Sequence, residues 1–490
     1  MRLRLGAVAL VVLAAACSNE PAARSGVGPS FSVSGGSART YVILGSGGAL
    51  PSDFASQVEA AGGSVSATLG GIGVGIAVSD EPGFAGALNR GSGIQAVAED
   101  VILDFGQPSA AGEIEAAAGE SDAGQASHGS TESFRNIQWA PDAISAPAAW
   151  HAGYRGAGAR VAILDGGLYS SHVDIALNLD AARSASFVPG QAYNTDLRRN
   201  AQNQCVLTDT FWHGTHVAGI VAARANNIGT VGIAPEATLI GVKVLHCGSG
   251  AFSWIIQGIY YAATPIAEGG AGAHIINMSL GALIDGRGPG IAHLLNALSR
   301  ATSYANQRGV TVIAAAGNNA VDIDHTNNMV FVPAQSVGVI AVSATSPAGW
   351  ALGSTNLDVP TAYTNYGQSA ITLAGPGGDD PLFGTPQGSA ACTKPRIPTG
   401  SVTTACWVFD LVMAPCRGSA SSTATYCWAA GTSMASPAVA GVAALLVGKN
   451  GPMHPAQLEA ALRASADDLG KPGNDDFYGR GRVNAWRAVQ

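Results

Sequence analysis

Residues 431–437 read Gly-Thr-Ser-Met-Ala-Ser-Pro, and the run that follows, 438–447, is apolar on nearly every face. A helix that is apolar all round has no side to give to water, so it belongs in the middle of a large domain. Pro437 suits the first turn, where its missing N–H costs no intrahelical bond. Ser433 is then placed at the N-terminus of a buried helix, where free amides and the dipole favour negative charge. A serine hydroxyl is a weak nucleophile until a base removes its proton. The rest of the chain must therefore be searched for that base.

Short runs with Val and Ile on both faces occur at 161–164 (ending at Asp165), 238–245, 274–279, 310–316 and 339–344. Such runs suit parallel strands covered on both sides. Helical stretches alternate with them, as at 291–305, where Ile291, Leu294, Leu295, Leu298, Thr302 and Ala305 share a face. The expectation is one α/β domain over 134–490, a parallel sheet in three layers with right-handed crossovers. Sites in such sheets lie beyond the carboxyl ends of the strands, where Asp165 and Asn318 stand.

Residues 38–105 predict a smaller α+β module. A strand at 41–44 is followed by a helix at 52–61 carrying Phe54, Val58 and Ala61. Two strands within 65–78 join near Gly70-Gly71, then come a helix at 82–89 and one last strand over 94–105. This βαββαβ order is ferredoxin-like. Residues 106–133, rich in Gly, Ala and Ser with Glu113, Glu115, Glu120 and Asp122, read as an exposed, easily cut linker. Residues 376–428 hold four cysteines and several prolines, and read as a disulfide-stapled surface insertion.

At the start, Arg2 and Arg4 precede the apolar run 5–16 and Cys17. The run is too short to span a bilayer and has the layout of an export signal over 1–17. Ala14-Ala15-Ala16 before Cys17 resembles a bacterial lipoprotein signal, which implies that Cys17 is lipidated. An ordinary secretory signal, with Cys17 discarded, is the alternative. Residues 18–37 are a flexible tether. The expected location is extracytoplasmic, lipid-anchored at the cell envelope as a precursor and secreted after maturation, since one acyl chain holds a protein weakly. A formal charge of −8 and the lack of a basic cluster argue against nucleic acid as a partner. The other six cysteines, Cys205, Cys247, Cys392, Cys406, Cys416 and Cys427, suggest three disulfides. Cys205–Cys247 is the natural first pair, and the pairing of the other four stays open. No C-x-x-C spacing supports zinc.

Three segments combine chemically: Asp165-Gly166-Gly167, the stretch His213-Gly214-Thr215-His216-Val217-Ala218-Gly219, and the serine motif. They offer a carboxylate, a base and a nucleophile. With Ala314-Ala315-Ala316-Gly317-Asn318, they resemble the motifs of the subtilisin-like serine peptidases over 134–490, in that family's Asp, His, Ser order. The module at 38–105 resembles the family's inhibitor-type propeptide. The resemblance implies an endopeptidase made as a zymogen, cut by itself within 105–136, acting through an acyl-enzyme on protein or peptide substrates. It gives Asp165 the orienting role, His213 the base, Ser433 the nucleophile, and Asn318 with the Ser433 amide the oxyanion hole. Ser279, Leu280 and Gly281 would pair with the substrate backbone, and Ala315 and Gly317 would wall a pocket. With no acid in either wall, an apolar or aromatic residue before the cut is expected.

His216, the rival base, reads as structural, one turn along the helix. No cofactor is needed for catalysis. Family members often bind calcium, for which Asp174, Asp322 and Asp324 are loose candidates better read as solvated loop acids. The module would be an intramolecular inhibitor, and the enzyme a monomer. Two departures stand out: Gly166 replaces the family's usual hydroxyl residue, and the spacing from Asp165 to His213 is long. A reading of another class is a catalytically silent binding or scaffold lipoprotein on the same fold. An α/β-hydrolase esterase lacks its G-x-S-x-G here.

Overall fold

The computed structural model describes residues 38–106, 111–115, 131–199, 204–206, 212–417 and 423–490. The export signal with Cys17, the tether at 18–37, and Glu120 and Asp122 lie outside them.

The first unit is an antiparallel sheet of β1 (Arg39–Gly45), β2 (Gly63–Leu69), β3 (Val74–Ser79) and β4 (Ile94–Glu99), in the order β2-β3-β1-β4. It carries α1 (Phe54–Ala60) and α2 (Phe84–Leu88), which gives the expected ferredoxin-like βαββαβ arrangement. Tyr41 and Ile43 pack with Phe54, Val58, Phe84 and Leu88. Val42, Leu44 and Ile76 face the other way, into a cluster with residues of the large domain such as Ile259 and Leu298. Burial on both faces explains why β1 is apolar almost throughout.

The last strand expected over 94–105 is in fact two. The chain turns at Asp100, and β5 (Ile102–Asp104) leaves the sheet to pair elsewhere. Asp100 causes the break, because its carboxylate accepts from the amides of Val101 (2.9 Å) and Ser253 (3.2 Å). Residues 106–133 also depart from an exposed linker. Gly112–Glu115 forms a strand, β6, and Glu132 and Ser133 are buried.

The large domain is built on a mostly parallel sheet. Its centre runs in the order β14 (Val339–Ser346), β12 (Thr311–Ala315), β10 (Ile275–Met278), β7 (Arg160–Asp165), β8 (Thr238–Lys243), with β15 (Leu373–Pro376) also beside β14, while β11 (Ala282–Asp285) and β13 (Met329–Val332) form a separate antiparallel pair. The central strands, all but β15, are the runs expected from their β-branched pattern. One face is covered by α3 (His213–Ala222) and α6 (Thr432–Asn450), the other by α4 (Phe252–Ala263) and α5 (Ile291–Gln307). All residues of α6 from Thr432 to Val447 are buried, as an apolar surface on every side requires. Although α6 is long and apolar enough to cross a membrane, it is the core helix of this domain. The amphipathic α7 (Pro455–Ser465) lies at the periphery.

Three disulfides form, Cys205–Cys247, Cys392–Cys406 and Cys416–Cys427. The insertion is less superficial than expected. Its hairpin β16 (Ala391–Pro395) with β17 (Ser401–Ala405) lies largely at the surface, whereas β18 (Val412–Cys416) and β19 (Thr425–Ala429) are wholly buried. The cause is α3, whose Gly219 leaves room for Pro415 of β18. A Cβ there would lie 2.2 Å from the proline ring.

Candidate active site

β7 ends at Asp165, α3 begins at His213 and α6 begins beside Ser433, so one strand end and two helix starts meet. Asp165 is fully buried, and its two oxygens lie 3.0 and 2.9 Å from His213 Nδ1. The amide of Gly166 donates to the same carboxylate at 2.7 Å. Two acceptor contacts on one ring nitrogen hold His213 with a proton on Nδ1 and leave Nε2 to accept.

Gly166 has a local reason. A Cβ there would lie 2.9 Å from Asp196 Oδ1, so the buried Asp196 carboxylate takes the space of a side chain. Behind it, the buried ammonium of Lys243 donates to the Gly166 carbonyl. Burial pushes the Lys243 pKa down, against the pull of Asp196 and Asp165.

The first turn of α6 is braced by hydrogen bonds that follow from Pro437. Pro437 stands inside the helix and not in its first turn as expected, so without an N–H there the carbonyl of Ser433 loses its partner four residues on. The hydroxyl of Ser279 replaces it, donating to Ser433 O at 2.8 Å and accepting from Asn277 Nδ2 at 3.0 Å. Ser436 closes the chain by donating to Asn277 Oδ1 at 2.7 Å. The Ser433 hydroxyl donates to the Ser279 carbonyl at 3.3 Å.

Asn318 lies at the other side of this turn. Its Oδ1 accepts from the Thr432 amide (2.9 Å) and hydroxyl (2.8 Å), which turns its NH2 group outward. A Cβ at Gly431 would lie 3.4 Å from Asn318 Nδ2 and 3.6 Å from the Ser433 amide. Two donors therefore converge on the small space that glycine leaves, as an oxyanion hole requires. Asn318→Asp keeps the acceptor that holds Thr432 and loses the donor. It is expected to lower kcat by roughly 10²- to 10³-fold with little change in KM or fold, read from steady-state kinetics and thermal unfolding.

His216 is buried, with Nε2 3.1 Å from the Cys427 carbonyl. Burial pushes its pKa down to about 3, so it is neutral at ordinary pH and anchors α3 to β19. Ser279 and Leu280 are almost wholly buried, so neither presents its side chain to a ligand. Gly281 and Gly317 both face the ring of Phe331, which lies 2.2 and 2.3 Å from their would-be Cβ positions. Ala315, in β12, is buried beside them. Phe331 thus gives the two predicted walls a shared apolar base.

A second edge was missed in the sequence. β9 (Ser249–Ala251) pairs antiparallel with β5, and the Phe105 amide donates to the Gly248 carbonyl at 2.9 Å. A Cβ at Gly250 would lie 3.0 Å from the Phe105 ring and 2.6 Å from Leu245. The glycine pair around Ser249, just before an amphipathic helix, was the available signal.

Asp174 is not a solvated loop acid. It is fully buried, 3.2 Å from Asn226 Nδ2 and 3.3 Å from the Thr230 amide. Burial holds its pKa well above the usual carboxylate range, and the charge of Glu132 adds to this. Asp322 and Asp324 are only partly buried and serve locally, Asp322 beside His325 (2.8 Å) and Asp324 accepting from Ser369 Oγ (2.6 Å). Cys205, His246 and Cys247 lie close enough to share an ion, but the two sulfurs are bonded to each other.

The family model for the subtilase family matches residues 156–481. Among curated proteins, the chain is 31% identical over 359 residues to thermitase of Thermoactinomyces vulgaris, covering 73% of this chain and 97% of that one. It is 31% identical over 365 residues to subtilisin E of Bacillus subtilis (strain 168), covering 74% of each. Among solved structures, the epidermin leader peptide processing serine protease (EpiP) of Staphylococcus aureus superposes with a TM-score of 0.65 at 19% identity, covering 92% of this chain and 98% of that one. At that identity the likeness speaks for the fold alone. The chain belongs to the subtilase family and is a serine endopeptidase.

Proposed function

We propose that this endopeptidase is exported as a zymogen, cuts itself just after its N-terminal module, and acts through Asp165, His213 and Ser433. Ser433 Oγ attacks the scissile carbonyl while His213 Nε2 takes its proton, and Asp165 stabilises the imidazolium through Nδ1. Asn318 Nδ2 and the Ser433 amide receive the oxyanion. The imidazolium then protonates the leaving amine, and water, activated by the same histidine, hydrolyses the acyl-enzyme. Lipidation of Cys17 would hold the precursor at the membrane, and the cut would release the enzyme.

The observation that supports the zymogen reading is the strand pairing of β5 with β9, which holds the end of the module as an extended peptide on a strand of the large domain. Purified Ser433→Ala precursor should remain full length and be cut when active enzyme is added. Cleavage of that variant alone would refute self-processing. A serine-directed fluorophosphonate separates this reading from a silent scaffold, which would not be labelled at Ser433.

Beside its apolar face, polar contacts of the backbone, of Gln95 and of Asp100 hold the module. Arg300 Nη1 donates to the carbonyls of Gly45, Ile72 and Gly73, each at 3.2 Å, and Nη2 to Gln95 Oε1 at 2.6 Å. Asp100 meets the N-terminus of α4 through the Ser253 amide. Burial raises its pKa from 3.8 to about 6. A carboxyl whose docked pKa exceeds its free value favours docking below the free pKa, and that contribution fades as pH rises through the docked one. Affinity of the cut module for Ser433→Ala enzyme should therefore fall about 100-fold from pH 4 to pH 7, and Asp100→Asn should flatten the profile in calorimetric titrations.

The Asp174 cluster fits a structural calcium ion of the kind common in the family. Two buried carboxylates, Asp174 and Glu132, are hard oxygen donors whose mutual repulsion a divalent cation relieves. Chelation should lower the melting temperature of Ser433→Ala enzyme by about 5 °C or more, from the stabilisation that saturating ligand gives. Asp174→Asn should abolish the difference.

A further inference from the structure

β6 pairs antiparallel with β19, matching Gly112 to Trp428, Glu113 to Cys427, Ile114 to Tyr426 and Glu115 to Thr425. The Ala111 amide donates to the Trp428 carbonyl at 2.8 Å. β6 is the outer strand of a three-stranded sheet whose other edge is β18. Removing it would leave β19 with an unpaired row of main-chain donors and acceptors. β19 ends at Ala429, four positions before Ser433.

Upstream, Phe105 is already fixed on Gly248 beside β9. From Phe105 to Ala111 is six residue steps, at most about 20 Å. The chain is thus held as a strand on both sides of residues 106–110, and a cut there, within the expected 105–136, would leave β9 holding the part before it and β19 the part after it. Val244, five residues ahead of β9, bonds the Asp165 carbonyl at 2.9 Å, so the upstream clamp is tied to the aspartate end and the downstream one to the serine end.

We propose that the edge of β19 is a docking strand for the downstream part of a polypeptide substrate, and that β6 is its first, built-in occupant. This rests on the peptidase reading above. The occupant it selects is an extended segment with an apolar residue in the place of Ile114, which packs against the cluster of Phe409, Met413, Tyr426 and Trp428. Neighbouring positions are free, since Glu113 and Glu115 are exposed. At the position of Gly112 a Cβ would stand 3.6 Å from the Trp428 ring, an ordinary contact that admits a small side chain. After the cut upstream of it, β6 belongs to the mature chain, tethered through residues 116–130, and competes at a high effective concentration with incoming substrate.

The test compares quenched peptides with one upstream sequence and either two or ten residues downstream, the longer carrying isoleucine at the matching place. Mature enzyme and a variant with 111–115 replaced by Gly and Ser are assayed side by side. In the variant, KM for the long peptide should fall about tenfold below that for the short one, at equal kcat, whereas the unaltered enzyme should show little difference. Ile114→Lys, which keeps the backbone and removes the anchor, should act in the same direction if the larger change impairs folding. Equal KM for both lengths in the variants overturns the proposal and leaves the peptidase reading intact. Failure of the unaltered enzyme to cut the short peptide refutes both.

Discussion

Ser433→Ala should reduce peptide hydrolysis by about six orders of magnitude, the loss that removing the nucleophile brings in a subtilase. The surroundings of Ser433 make this a clean subtraction. Its main chain is held by Ser279 through the carbonyl and not through the hydroxyl, so α6 keeps its first turn when Oγ is removed. The bond of Oγ to the Ser279 carbonyl is long at 3.3 Å, and its loss costs little stability. Thermal unfolding should shift by no more than a few degrees while kcat collapses. A variant that kept more than about one thousandth of the activity would mean that another group attacks the substrate.

Asp165→Asn should cost about 10⁴-fold in kcat with little change in KM. The side chain has no freedom to compensate. It is fully buried and fixed by the Gly166 amide, while both oxygens face His213 Nδ1. An amide in that space either turns its NH2 towards Nδ1, which forces the proton to Nε2 and removes the base, or loses the Gly166 bond. The imidazolium formed during catalysis would also lack its counter-charge. Lys243 sharpens the effect, since its buried ammonium behind Gly166 would then face only Asp196. A loss below tenfold would rule out the orienting role.

What was legible in the sequence is what neighbouring residues decide. Strands of the central sheet carry their own β-branched runs, and α6 announces its burial through an apolar surface on all sides. Asp165, His213, Asn318 and Ser433 each stand where a strand ends or a helix starts, and such ends are written in short motifs. What was not legible depends on distant partners. Asp174 looks like a loop acid until Asn226, 52 residues away, is brought to it. The strand over 94–105 breaks because Asp100 bonds Ser253, 153 positions later. β6 lies in a stretch with the composition of a linker, and only the edge of β19 makes it a strand. The core strands of the insertion were read as surface because cysteines and prolines mark loops, whereas α3 has a groove at Gly219 shaped for Pro415.

Arg300 grips the N-terminal module almost wholly through carbonyl oxygens, those of Gly45, Ile72 and Gly73. Carbonyls are common to every amino acid, so this grip reads the path of the backbone and is blind to the side chains on it. The module can drift in sequence over generations and still be recognised, provided its turns keep their shape. A foreign module of the same βαββαβ outline, sharing few residues with this one, should seat on this catalytic domain through the same guanidinium.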